Sequence, residues 1–334
     1  MEFTHIQTAA NLPADWNDLA ENYFQQTEFI LHTEKHNPCQ QRYYVCISNG
    51  KLMAAAIVYS LRLDLLTFIK IKSPLKMNIV GIPCSVSCQG IFGEKSALSA
   101  LKEHVFKVEK GFVLFLNLEE NPQNYSIATG KTLPTIVLKN NFKNWDNYLA
   151  SLRSNYRRRI MLINKNNKEL KFEKKACSEF TDEMYQQYTE VYNRSSGKLE
   201  KLKIDFFINL PTEFKLTVCL KNEIIIGWNI AIESQNIYYF FLGGINYTQN
   251  KTHNTYLRLL SNLVKDGIDR KSNYIELGQT AETPKMRMGG KPLVRYMEAR
   301  HSNWIINKII KTSSSLLEYN RKLEKTNAMK EEIV

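Results

Sequence analysis

The sequence is short of the signals that mark several large functional classes. No apolar run approaches the ~20 residues a helix needs to span a bilayer; the longest nearly unbroken one is Leu52 to Leu61. Met1 to Ala20 has no basic start leading into an apolar run, so no export signal is expected and the reading is cytoplasmic. Cysteine is sparse: six residues, at 39, 46, 84, 88, 177 and 219, with Cys84 and Cys88 the one close pair and no second pair or histidine couple near it. That spacing argues against zinc and suits buried free thiols in a reducing compartment. Nothing resembles a Ser-His-Asp order, a Cys-His pairing, a nucleotide P-loop or a metal-spaced cluster, so covalent hydrolase and kinase chemistry have no support. No metal and no tightly bound cofactor are expected.

What is present is a basic chain with ample core material. Its 334 residues, 43% hydrophobic and 11% aromatic, suffice for two ordinary domains. The net charge of +12 predicts attraction to polyanions without choosing among nucleic acid, an anionic membrane surface and phosphorylated substrates. Arg153, Arg157, Arg158 and Arg159 fall within the span of an apolar stripe, Trp145, Tyr148, Leu149, Leu152, Tyr156, Ile160 and Ile163, whose spacing predicts one long helix with Arg153 and Arg157 on an adjoining face.

Asn49-Gly50 between Tyr43–Ile47 and Leu52–Leu61 predicts a tight hairpin. The pattern returns at Phe214–Leu220 and Ile224–Ile232, with Val45, Cys46 and Asn49 matching Val218, Cys219 and Asn222 at a constant offset of 173. Further strands are expected at Phe68–Ile71, Met77–Ile82, Phe112–Leu118, Thr135–Leu138 and Ile237–Leu242. Helices are expected from Asn11-Leu12-Pro13 through Phe24, and at Phe29–Lys35, Ala97–Lys110, Glu183–Asn193, Ile204–Asn209 and Asn254–Asp269. The order is a mixed α/β layout built twice.

The stretch YIELGQTAETPKMRMGGKPLVRYMEARH, Tyr274 to His301, organises the rest. A short strand carries Glu276 to its end, and Gly278 frees the backbone to turn. Gln279, Thr280, Glu282 and Lys285 supply hydrogen-bonding groups, and Gly289-Gly290 permits a return into a strand at Leu293–Met297. Polar crossings at strand ends are where ligands usually sit.

These residues resemble the GNAT acetyltransferase superfamily, and within it the double-domain branch of Fem-type peptidoglycan aminoacyl transferases and FemAB-like relatives. Tyr148 to Arg159 is similar to the family's basic helix, and Tyr238 to Asn246 with Gly243-Gly244 to its central strand. Leu277-Gly278-Gln279-Thr280, then Lys285 and Gly289, is similar to the branch's ending. The resemblance implies an α/β fold of two tandem GNAT-like domains, with boundaries expected at 1–140, 141–303 and a helical tail 304–334. It also implies N-acyl transfer from an activated carrier, acyl-CoA or acyl carrier protein, to an amine. Aminoacyl-tRNA-dependent transfer to a peptidoglycan precursor is the alternative, and a basic binding module that has lost catalysis is the third reading. Between Asn193 and Phe214 there is room for only a short helix, where tRNA-using relatives often insert a coiled-coil arm.

One departure bears on the donor. Acyl-CoA-using members carry a glycine-rich pyrophosphate loop, and the corresponding Asn246 to Asn254 has no glycine. Phosphate would then rest on a helix start, with Gly243, Gly244, Lys251, Thr252 and Asn254 as the candidate donor-binding residues. Glu276 is a candidate base or a structural carboxylate; Lys285 is a candidate for binding an anionic group, and Tyr247 and Tyr239 are candidate proton donors or core tyrosines. Arg153, Arg157, Tyr239, Gln279 and Thr280 are the candidate substrate contacts. In the tail, Trp304, Ile305, Ile306, Ile309, Ile310, Leu316 and Leu317 with Lys308, Lys311, Arg321 and Lys322 predict an amphipathic helix. It either packs on the protein or lies on the inner membrane surface, where the acceptor would be a lipid amine rather than a soluble one.

Overall fold

Two hairpins set the frame, and their turns explain why they form. The computed structural model describes residues 1–37, 39–64, 74–84, 86–122, 127–166, 168–195, 198–313 and 318–330. After β1 (Glu2–Ile6) come α1 (Trp16–Leu19), α2 (Thr27–His36), β2 (Arg42–Ser48) and β3 (Lys51–Asp64). Asn49 and Gly50 join β2 to β3 at φ 50° and 73°, the left-handed pair that a two-residue hairpin requires. The expected helix through Phe24 is instead α1 and a separate 3-10 turn at Tyr23–Gln25, because Ala20 and Asn22 are extended. Next are β4 (Pro74–Val80), β5 (Ile91–Gly93), α3 (Lys95–Val108), β6 (Phe112–Leu118) and β7 (Ala128–Lys139). The strand expected at Phe68–Ile71 lies outside the described residues.

The second half repeats the plan. It contains α4 (Trp145–Ser151), α5 (Ser154–Asn166), β8 (Lys171–Ala176), α6 (Asp182–Arg194), α7 (Ile204–Ile208), β9 (Lys215–Lys221) and β10 (Ile224–Ser234). Then follow β11 (Ile237–Ile245), α8 (Tyr247–His253), α9 (Thr255–Asp269), β12 (Tyr274–Glu276), α10 (Glu282–Arg287), β13 (Lys291–His301) and α11 (Trp304–Thr312). Asn222 and Glu223, at φ 48° and 65°, close the second hairpin.

The chain divides into two compact units: Met1–Leu133 with Ser196–Phe206 and Val294–Arg321, and Pro134–Ser195 with Phe207–Leu293 and Lys322–Val334. In the first, strands pair in the order β1-β2-β3-β4-β6-β13, all antiparallel except β4 with β6. In the second the order is β8-β9-β10-β11-β12-β7, all antiparallel except β11 with β12. The parallel pair falls at the same place in both, bridged by α3 in one and by α8 and α9 in the other, as a parallel connection requires. The sequence repeat is therefore a repeat of topology.

The closing strands are exchanged: β13, late in the chain, pairs with β6, while β7 pairs with β12. For that reason the units are not the contiguous pieces 1–140 and 141–303 expected from the sequence. The first unit's core gathers Val58, Leu101, Val105 and Phe115, and the second's gathers Leu138, Tyr148, Val264, Ile275 and Leu277. Burial pushes the thiols of Cys39, Cys177 and Cys219 up to about 12, so they are inert apolar side chains.

The long helix expected from Trp145 to Ile163 is broken between α4 and α5. Leu152 is extended at ψ 144° and bridges Met329, while the Arg153 amide donates to the Ala328 carbonyl at 2.8 Å and the Lys330 amide to Ser151 at 2.9 Å. A strand-like contact from the far end of the chain has displaced one helical turn.

Candidate functional site

The site lies in the second unit, where β11 and β12 part. Their parallel pairing runs Ile237↔Tyr274, Tyr238↔Ile275, Tyr239↔Glu276 and stops. The chain then turns away: the Leu277 amide donates to the Ile136 carbonyl at 2.8 Å, the Ile136 amide to the Gly278 carbonyl at 3.1 Å, and Gly278 takes φ 72°. β11 continues past Tyr239, its last pairing with β12, and from Phe240 onward its described strand partner is β10. An irregularity follows: Ile230 faces Leu242 while Ala231 faces Phe240, leaving Phe241 as an extra residue on β11.

The crossing after Gly278 holds a short helix, α10, where the sequence suggested only polar loop. Thr280 and Ala281 enter it at φ 59° and 46°, left-handed values that cost a non-glycine residue about 1–2 kcal/mol each. This folding-back buries Lys285, which is only 2% exposed. Its Nζ donates to the Gln279 carbonyl at 2.6 Å and lies 5.6 Å from the centre of the Phe240 ring. Burial pulls the ammonium down from 10.5 to about 7, against the opposing pull of the Glu282 and then the Glu276 carboxylates. A lysine in this state exchanges its proton at neutral pH.

Glu276, half-buried at the end of β12, sits opposite Tyr239 on one side and Val137 on the other. Gln279 contributes its main-chain carbonyl, and Thr280 is exposed on the loop. Of two further neighbours, the sequence marks Glu282 among the polar groups of the crossing but gives no sign of Tyr256. Glu282 is 4% exposed beside Lys285. Tyr256, at the start of α9, has its hydroxyl raised by burial and then by the charges of Tyr247 and Glu282. Nothing in the spacing of Tyr256 distinguishes it from the apolar stripe of its helix. Tyr247 itself stacks under Arg194, whose guanidinium is 4.0 Å from the ring centre, and burial raises its hydroxyl too.

The remaining candidates fall elsewhere. Gly244 leaves room for an indole: a Cβ there would meet Trp228 Nε1 at 2.5 Å, and one on Gly243 would meet the Trp228 carbonyl at 3.1 Å. Packing thus accounts for both glycines, and the strand irregularity lies at Phe241 rather than at the pair. Lys251 and Thr252 are exposed on α8, and Asn254 takes φ 50° at the α8–α9 junction. The helix-start amides proposed for phosphate are already engaged. Asn246 Oδ1 accepts from Thr248 and Gln249, at 3.0 and 3.4 Å, and Asn250 Oδ1 accepts from Tyr256 at 3.0 Å. These residues do not fit a pyrophosphate cradle. Arg153 Nε donates to the Met329 carbonyl at 3.1 Å, so this arginine clamps the late segment rather than facing Lys285, while Arg157 is half-exposed on α5.

The sequence matches no family model and no curated protein. Solved structures do match. FemX aligns over 93% of this chain and 100% of its own, with a TM-score of 0.53 and 11% identity. A tandem GNAT protein from the clavulanic acid biosynthesis pathway aligns over 90% and 99%, with a TM-score of 0.51 and 10% identity. L-PGS from Bacillus licheniformis aligns over 86% and 94%, with a TM-score of 0.50 and 10% identity. The chain therefore has the tandem GNAT fold, and the GNAT and Fem-type resemblance of its sequence holds at the level of architecture.

Proposed function

We propose that this protein is an N-acyltransferase in which Lys285 carries the proton. The observation that supports it is a lysine, buried and titrating at about 7, at the point where β11 and β12 separate. Acyl transfer to an amine needs the nucleophile deprotonated and the leaving group protonated in turn. Neutral Lys285 takes a proton from the incoming ammonium; the freed lone pair attacks the acyl carbon, and the carbonyl becomes a tetrahedral oxyanion. The attacking nitrogen sheds its surplus proton to solvent; as the oxyanion collapses, the bond from the acyl carbon to the carrier's sulfur or oxygen breaks and the Lys285 ammonium returns its proton to the leaving atom, so one proton is released overall. Glu282 and Glu276 keep Lys285 from falling further and so hold it near neutral pH.

Two donors remain in competition. A thioester carrier is the simpler, and acyl-CoA or acyl carrier protein would supply it. The engaged amides of Asn246 and Asn250 partners favour instead a donor not held by pyrophosphate at α8, which an aminoacyl-tRNA satisfies. Against that second reading, the only helix described between α6 and β9 is the five-residue α7. The test is amide formation from acyl thioesters and from charged tRNA, each with a pool of soluble and lipid amines, across pH 5.5 to 9. A product whose rate rises through an inflection near 7 and is abolished in Lys285→Met supports the reading. Transfer that Lys285→Met leaves intact, or none from either donor, overturns it.

A further inference from the structure

We propose that α11 and the cationic groove at its start form a docking surface for an anionic lipid bilayer. The inference concerns the first unit alone and does not depend on the acyl-transfer reading.

The helix shows its apolar side to solvent. Trp304 is 73% exposed, Ile305 52% and Ile309 58%, with Ile306 at 36%, while Ile310 is the buried residue that seats the helix. Successive positions sort into stripes at three- and four-residue spacing: Ile305 and Ile309 lie along one, and Trp304, Lys308 and Lys311 along the next. A single exposed isoleucine is ordinary, but four large apolar residues within six positions are not. The helix is also firmly placed. Asn303 Oδ1 caps it by accepting from Ile305 and Ile306 at 2.9 and 3.3 Å, and Asn307 Oδ1 accepts from the His301 amide at 3.2 Å. A fraying terminus would not hold such a face outward.

The second observation is the groove, about 680 Å³, from which α11 departs. Ser302, two residues before the helix, lines it and is tied to Gly111, whose amide donates to Ser302 Oγ at 3.0 Å. Lys107, Lys110 and Arg300 line it with Phe3, His104 and Phe106. Among the described lining residues the one carboxylate, Glu103, is 3.4 Å from Arg300 and so leaves Lys107 and Lys110 to set the sign. Aromatic floor and lysine rim together suit a phosphate headgroup with its acyl chains alongside, and the α11 isoleucines and Trp304 suit the boundary between headgroups and chains.

The charge selects the occupant. A second copy of the chain, meeting this face about a two-fold axis, would set Lys308 and Lys311 against their own counterparts on a molecule of net charge +12. An anionic bilayer meets every one of these cations favourably. No helix among the described residues is long and apolar enough to cross a membrane, so the contact is peripheral.

The test is flotation of the full chain with vesicles of phosphatidylcholine alone or with about 30 mol % phosphatidylglycerol. The proposal expects binding to the anionic vesicles only, weakened by salt. It also expects at least a roughly tenfold loss in Ile305→Ser/Ile309→Ser and in Lys107→Glu/Lys110→Glu, both at exposed positions and checked by circular dichroism. A parent protein that stays with the unbound fraction overturns it, as do variants that bind as well as the parent. Concentration-dependent dimerisation that Ile305→Ser/Ile309→Ser abolishes, with no vesicle binding, would assign the face to a second copy instead.

Discussion

Replacing Lys285 by methionine separates a catalytic lysine from a structural one, because the two readings differ in the sign of a stability change. The ammonium falls from 10.5 in an ordinary lysine to about 7 here. At about 1.4 kcal/mol per tenfold change, that fall withholds roughly 5 kcal/mol of stability once the unfolded chain carries the proton. The folded-state value is the lower one, so between 10.5 and about 7 the unfolded chain binds more protons and stability rises with pH through that window. Below about 7 both states are charged and the penalty is constant. Methionine keeps the apolar stem but leaves the Gln279 carbonyl without its donor, which costs about 1–2 kcal/mol. Lys285→Met should then be more stable than the parent by on the order of 3 kcal/mol at pH 6, with the difference vanishing near pH 9 to 10. Urea unfolding at pH 6, 8 and 10, followed by tryptophan emission, measures this directly. A variant less stable than the parent at pH 6, or one whose difference ignores pH, would refute the argument and leave Lys285 as a buried structural cation.

Other perturbations follow the same geometry. Glu276→Gln removes a charge that supports the Lys285 ammonium, so the acid limb of the pH–rate profile should move down, by up to about one pH unit; an unmoved limb would detach Glu276 from the site. Gly244→Ala places a Cβ against the Trp228 indole and should cost about 1–3 kcal/mol in urea unfolding. Asn246→Ala frees two amides at the start of α8 and should cost about 1 kcal/mol, with any gain in affinity for a thioester carrier reporting on that helix start. Arg153→Ala should speed hydrogen exchange in Asn327–Lys330 while changing exchange in β11 little, since its guanidinium holds that segment and not Lys285.

The elements legible in the sequence were those set by local chemistry. Asn49-Gly50 dictates a hairpin whatever surrounds it, and Asn222 repeats the device, so the duplicated frame could be read directly. Glu276, Gln279 and Lys285 stood out because a strand end, a glycine and polar groups fell together. Long-range contacts could not be read. The periodicity from Trp145 to Ile163 is helical throughout, and only the pairing of Leu152 with Met329, far along the chain, breaks it. Gly243 and Gly244 read as candidate donor-binding residues, whereas the tryptophan that requires them lies on the neighbouring strand. The apolar stripe of the tail helix fits either packing on the protein or lying on a membrane, and the structure turns it outward. Its expected residues Leu316 and Leu317 lie outside the described residues. Exchange of β7 and β13 left no trace in sequence at all, because pairing partners at a sheet edge are fixed by the fold and not by spacing.

The repeat lets one position be compared in both units. In the first unit β4 ends at Val80, and the position beyond it is filled: Gly81 bridges Gln89, its amide donates to the Ile57 carbonyl at 3.1 Å, and the Gly90 carbonyl accepts from the Ile57 amide at 2.8 Å. Gly90 lies so close that a Cβ would come within 2.2 Å of the Gly81 nitrogen, so nothing larger fits there. In the second unit the equivalent strand, β11, runs on six residues past its last pairing with β12. Where β12 stops pairing, the chain accepts three left-handed residues, Gly278, Thr280 and Ala281, and buries a lysine. The same topology has this position closed by protein in one copy. In the other, strain and a buried cation are concentrated there, and folding alone gives no reason to keep them.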